Sequence, residues 1–187
     1  MNEHDDGLNV PYPPHSLLFA LADDVLVLGP GYLLGLLESA KTNDQQVAEF
    51  TFNVTDLAVD FDIGLAVIHD VLDDSAAPLT LPLAVVLRPF NLCAELPSRC
   101  VAFVKRNYTS RWSQAMVWLS LLPDTRQDRE RIVTAAVAQS GDNLAQLEYA
   151  IELGRTDWRD LLMNTDLANA DWPARLDEML GANDQVE

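Results

Sequence analysis

The sequence predicts an α+β fold dominated by helices, with a few short strands in residues 47–108 and a C-terminal bundle of short helices. The chain has 187 residues, 49% of them hydrophobic and 22% charged, which is enough for one well-buried core. Phe50, Phe52 and Val54 alternate with polar residues, as in a half-buried strand. After Thr125, apolar residues recur at helical spacing in short segments that need neighbours to be stable.

We expect three segments along the chain. Residues 1–14 are polar and contain prolines, which predicts a tail. Residues 15–122 would form a mixed α/β core. Residues 124–183 would form a helical subdomain that packs on this core, so that the two make one compact unit.

The N-terminal elements are separated by turn signals. His15–Leu28 is apolar and ends at Gly29-Pro30-Gly31, after which Tyr32–Lys41 has the broad apolar face of a helix. Two further short apolar segments, Leu79–Phe90 and Cys100–Tyr108, are predicted strands.

The later elements read as helices with polar caps. Trp112–Leu122 is predicted to be a buried helix that stops before Pro123. Four short amphipathic helices follow, with Trp158 and Trp172 on the last two as expected docking residues. Their predicted capping residues are, in order, Thr125 with Asp128, Asp142, Thr156 or Asp157, and Asp171, and the second helix is expected to end at Gly154.

The segment Thr55–Leu72 has the apolar spacing of a helix-turn-helix. Leu57 and Phe61 would line the first helix, and Ile68 would anchor the second. In this spacing the segment resembles the helix-turn-helix class over about eighteen residues. Its exposed second-helix positions include no arginine or lysine, so it would repel DNA. We interpret it as a buried helical element; a helix pair used for protein contact and one long helix are the alternatives.

The net charge of −17 is unevenly distributed. Residues 1–87 carry fourteen acids and one base, residues 88–111 one acid and five bases, and residues 112–187 fourteen acids and six bases. This field repels phosphate backbones and anionic lipids, so we expect neither DNA binding nor membrane binding. The basic segment Arg88–Arg111 is interpreted as an internal ion-pair counterpart of the acids, with a nucleic-acid site as the alternative.

The sequence also indicates a cytoplasmic location. No run of eighteen apolar residues is present, and the N-terminus lacks the features of a signal peptide. Cys93 and Cys100 match no zinc or redox spacing, and we expect both to be free packing residues in a reducing compartment.

Signs of catalysis are few. No nucleotide-binding, nucleophile-elbow or zinc-protease motif occurs, so we expect neither enzymatic activity nor a cofactor. The best metal candidate is His69 with Asp70 and Asp73, because residues four apart share one face of a helix.

The favoured function is that of a bacterial-type cytoplasmic interaction module, an adaptor, chaperone-like binder or immunity-type inhibitor that binds a basic protein surface. A metal-dependent enzyme or metal-binding protein that uses His69, Asp70 and Asp73 is one alternative, and a DNA mimic is another. A homodimer is also compatible with the sequence. The candidate partner-binding residues are Asp60, Asp62, His69, Asp70, Asp73, Asp74, Trp158 and Trp172.

Overall fold

The computed structural model describes residues 15–125 and 128–181, and the predicted N-terminal tail lies outside them. The fold is α+β and dominated by helices, as the sequence predicts. The chain divides into two compact units, Met1–Ala94 and Glu95–Glu187.

The first two described elements of the first unit are helices. Helix α1 spans Ser16–Leu26, and the His15 ring accepts a hydrogen bond from the Leu17 amide at its start. Helix α2 spans Tyr32–Thr42, which confirms the helix predicted after the Gly-Pro-Gly turn. Apolar residues of α1 are buried, among them Leu21 and Val25, and they provide much of the core of this unit.

The first unit contains a four-stranded antiparallel sheet in sequence order. Its strands are β1 (Val47–Thr51), β2 (Thr55–Asp60), β3 (Leu65–Asp70) and β4 (Leu79–Pro82). Helix α1 contacts β2 and β3. Asp24 on α1 accepts hydrogen bonds from the Val54 amide and the Thr55 hydroxyl, at 2.9 and 2.8 Å, which joins the helix to the β1–β2 turn.

The helix-turn-helix interpretation of Thr55–Leu72 is wrong, and so are its helical alternatives. Residues Thr55–Asp70 form the β2–β3 hairpin, in which Thr55, Leu57 and Val59 are buried on β2 and Ala66 and Ile68 on β3. The turn is closed by Asp60 Oδ1, which accepts hydrogen bonds from the Asp62 and Ile63 amides, and by Gly64 at a φ of 66°. The apolar residues fit both a period of 3.6 and a period of 2, and pairing with β1 and β4 favours the strand.

The predicted strand Leu79–Phe90 is correct only for its first four residues. Helix α3 spans Leu83–Glu95 and buries Val86 and Phe90, with Pro89 inside it. The predicted strand Cys100–Tyr108 is wrong. Its residues belong to helix α4 (Ser98–Tyr108), where buried Cys100, Val104 and Tyr108 recur every four residues and exposed polar residues occupy the other side.

The second unit continues with a helical bundle. Helix α5 spans Trp112–Leu119, within the predicted buried helix, and α6 spans Arg129–Ser140 with Asp128 as its N-cap. Helix α7 (Leu144–Met163) is capped at its N-terminus by Asn143 rather than by Asp142, and it continues through Gly154. It bends at Asp157, where φ is −151° and the side chain caps the Arg159 amide. Helix α8 spans Trp172–Leu180.

Helix α6 lies at the centre of this unit and contacts both α4 and α7. Buried Tyr108 on α4 forms a hydrogen bond with Ser140 at the end of α6, and burial raises the pKa of Tyr108 to about 12. Arg99 on α4 forms ion pairs with Glu130 on α6 and Asp177 on α8. Arg99 therefore forms internal ion pairs with acidic residues, which is the role that we interpreted for the basic segment Arg88–Arg111.

Candidate functional site

The open face of the sheet carries an acidic cleft. Directly paired residues of neighbouring strands share one face, and the pairs Leu57–Ile68 and Val59–Ala66 are buried on the face that α1 contacts. The alternate set therefore lies on the opposite face, where Asp56 is half-buried and His69, its direct partner on β3, is exposed.

The cleft has a volume of about 420 Å3. It extends across β1, β2 and β3 to the β3–β4 loop, and Thr51 and His69 are among its polar lining residues. No lysine or arginine lines it, and its five carboxylates are Glu49, Asp56, Asp70, Asp73 and Asp74. Such a lining attracts a cation and repels an anion.

Asp56 lies at the centre of the cleft lining, between Thr51 on β1 and His69 on β3. Its Oδ1 atom is enclosed by neighbouring atoms and has no hydrogen-bond partner among residues 15–125 and 128–181. A shielded acceptor without a donor costs about 1–3 kcal/mol relative to a satisfied one.

The β3–β4 loop, which lines one end of the cleft, is held in place by hydrogen bonds to its own carboxylates. Asp70 Oδ1 accepts hydrogen bonds from the Leu72 and Asp73 amides. Asp73 Oδ1 accepts from the Ser75 amide and the Ser75 hydroxyl, and the hydroxyl bond is the main cause that lowers the pKa of Asp73. These hydrogen bonds hold each of the two side chains through its Oδ1 atom. The lowered pKa keeps Asp73 ionised to lower pH.

The structure separates the predicted partner-binding residues into three places. His69, Asp70, Asp73 and Asp74 line the cleft. Asp60 and Asp62 lie at the tip of the β2–β3 hairpin instead. Asp60 is four residues along β2 from Asp56, which corresponds to about 13 Å.

Trp158 and Trp172 belong to the second unit, and both rings are half-buried. The Arg159 guanidinium lies 4.8 Å from the centre of the Trp158 ring, and that of Arg131 lies 4.7 Å from the centre of the Trp172 ring. Arg131 also donates hydrogen bonds to the Leu167 carbonyl oxygen. These two tryptophans therefore have structural partners within their own unit.

The sequence reasoning missed Glu49, Thr51 and Asp56 as cleft residues. The available signal was the alternation of Thr55, Leu57 and Val59, which predicts that Asp56 and Ala58 share the other face of a strand. The helical interpretation of this segment concealed it.

The helical argument for a metal site at His69 and Asp73 is wrong, because His69 lies on β3 and Asp73 in the following loop. Within the described parts of the chain, no three histidine, cysteine, aspartate or glutamate side chains are grouped so that they could hold a metal ion.

No family model, curated protein or solved structure matches this chain. Among the residues with described positions, no helix has both the length and the apolar character that crossing a lipid bilayer requires.

Proposed function

We propose that this protein is a non-catalytic interaction module that binds a basic surface of a partner protein in the acidic cleft. The observation that carries the proposal is the cleft lining, which has five carboxylates and neither lysine nor arginine. A cationic side chain that entered would neutralise part of this charge. Such a module serves as an adaptor, a chaperone-like binder or an immunity-type inhibitor.

The preference for a protein partner over a nucleic acid follows from the same charges. Phosphate groups would meet the carboxylates at the cleft and the long-range field of a chain with net charge −17. A cytoplasmic location fits two buried cysteines that form no disulfide, since a reducing compartment keeps thiols reduced.

Two matched double variants test the cleft. Asp73→Asn with Asp74→Asn removes two charges at the cleft, and Asp60→Asn with Asp62→Asn removes two charges at the hairpin tip. Both variants have the same net charge. Asparagine can still accept the turn hydrogen bonds that Asp60 and Asp73 accept, so we expect both to fold.

The probe is a synthetic peptide in which arginine and threonine alternate, and fluorescence anisotropy measures its affinity. We expect the cleft variant to bind about tenfold more weakly than the unmodified protein, and the tip variant to differ from it by less than about twofold. Equal affinity of the two variants would show that the peptide recognises overall charge rather than the cleft, and would contradict the proposal. Thermal melts of both variants serve as the control for folding.

A further inference from the structure

The two outer edges of the sheet differ in what they offer to another strand. The Leu83 amide donates to the Gly64 carbonyl oxygen. In an antiparallel pair, successive residues point their backbone N–H and C=O groups alternately towards and away from the neighbouring strand, so those of Thr80 and Pro82 point away from β3. Proline has no N–H, and Pro78, just before β4, lacks one too. The outer edge of β4 is therefore poor in donors.

The outer edge of β1 has a full set of donors and acceptors. The Phe52 amide donates to the Thr55 carbonyl oxygen and the Phe61 amide to that of Gln46, each at 2.9 Å. By the same alternation, the backbone N–H and C=O groups of Val47, Glu49 and Thr51 point away from β2. All three residues are exposed, and in the described parts of the chain β1 pairs with β2 alone.

We propose that the edge of β1 accepts an extended basic segment of the partner as a fifth antiparallel strand, whose alternate side chains lie over the open face beside the acidic cleft. This inference rests on the proposed function, because the cleft supplies the charge that selects a basic segment. An open edge that pairs with a peptide strand is a general mode of recognition, in which backbone bonds supply affinity and alternate side chains supply specificity.

The geometry places basic side chains next to the carboxylates. A fifth strand would lie about 4.8 Å beyond β1 and about 9.6 Å from β2. Residues opposite Val47, Glu49 and Thr51 would project from the open face, where an arginine opposite Glu49 forms a direct cross-strand pair. Asp56 lies one strand further in, and an arginine extended across β1 points towards it.

A second copy of this chain is a poorer occupant of the same edge. Two β1 strands related by a two-fold axis at the middle of the strand would place Glu49 opposite Glu49. Like charges directly opposite each other destabilise strand pairing, and two chains of net charge −17 also repel at longer range. Charge complementarity therefore selects a basic partner segment.

Peptides methylated on backbone nitrogens separate strand pairing from charge attraction. The parent peptide alternates arginine and threonine over about seven residues, a common strand length. In an antiparallel pair, residues directly opposite Val47, Glu49 and Thr51 exchange hydrogen bonds with them, so the arginines on the open face are also the donors to β1. One derivative carries its methyl groups on the backbone nitrogens of the arginines, and the other carries them on the backbone nitrogens of the threonines. All three peptides have the same charge.

We expect methylation at arginine to weaken binding at least about tenfold, because it removes several hydrogen bonds, and methylation at threonine to change it by less than about threefold. Val47→Pro, which removes one outward N–H, is expected to weaken the parent peptide as well. If both derivatives bind like the parent, or if the threonine derivative is the weaker, strand addition is overturned.

The outcomes also separate this inference from the proposed function. Binding that depends on Asp73 and Asp74 but not on backbone methylation leaves the acidic cleft as the site and overturns strand addition. Absence of any peptide binding overturns both. Sedimentation velocity of the free protein tests the competing occupant: we expect a monomer, and a dimer that Val47→Pro dissociates would assign the edge to a second copy.

Discussion

Among single residues, two helical glycines in contrasting surroundings form a matched pair. A Cβ atom on Gly154 would lie 2.8 Å from Leu122 Cδ2 and 3.2 Å from Leu161 Cδ2, whereas one on exposed Gly35 would meet nothing within 4 Å. Gly35→Ala should raise the free energy of unfolding by about 0.5–1 kcal/mol, through helix propensity alone. Gly154→Ala should lower it by about 1 kcal/mol, because overpacking exceeds that gain. Urea melts measure both. Equal stabilisation would show that the leucine side chains rotate away without cost.

The reactivity of Cys100 is set by its surroundings. Burial is the main cause that raises the pKa of its thiol to about 12, so the reactive thiolate is rare near neutral pH. Iodoacetamide should label Cys100 slowly in the native protein and rapidly in urea, as mass spectrometry can record. Cys93 is also buried and forms no disulfide, and it should likewise be labelled slowly in the native protein. Rapid native labelling or a stoichiometric disulfide would contradict this prediction.

At the level of elements, Arg99 joins three helices of the second unit. Its side chain is 15% exposed and that of its partner Glu130 is 11% exposed. Arg99→Ala should lower the free energy of unfolding by about 2–4 kcal/mol, because it leaves the Glu130 carboxylate buried without its partner. Arg175→Ala is the control: this residue pairs with Glu178 at the surface, and its loss should cost less than about 0.5 kcal/mol. If denaturant melts give equal losses, the Arg99 ion pairs do not stabilise the bundle.

The elements also show where sequence reasoning succeeds and fails. Helices with distinct breakers, such as Tyr32–Thr42 after the Gly-Pro-Gly turn, could be predicted because the signals are local. The hairpin Thr55–Asp70 could not be assigned by period alone, since its apolar residues fit a helix as well as two strands. The cleft was harder still. Asp56 and His69 become neighbours only through the register of strand pairing, which no local pattern specifies.

For the whole molecule, the net charge of −17 should govern the association rate of a basic partner, whereas pairing with the β1 edge should govern its dissociation rate. The association rate of the arginine–threonine peptide should fall at least about tenfold between about 0.01 M and about 0.15 M ionic strength, as the reach of the charges shrinks from about 30 Å to about 8 Å. Backbone hydrogen bonds are short-ranged, so the dissociation rate should change much less. The cleft and tip variants have equal net charge and should associate at similar rates, while the cleft variant alone dissociates faster. Stopped-flow fluorescence measures both rates. An association rate that does not respond to salt would mean that the acidic surface does not steer the partner.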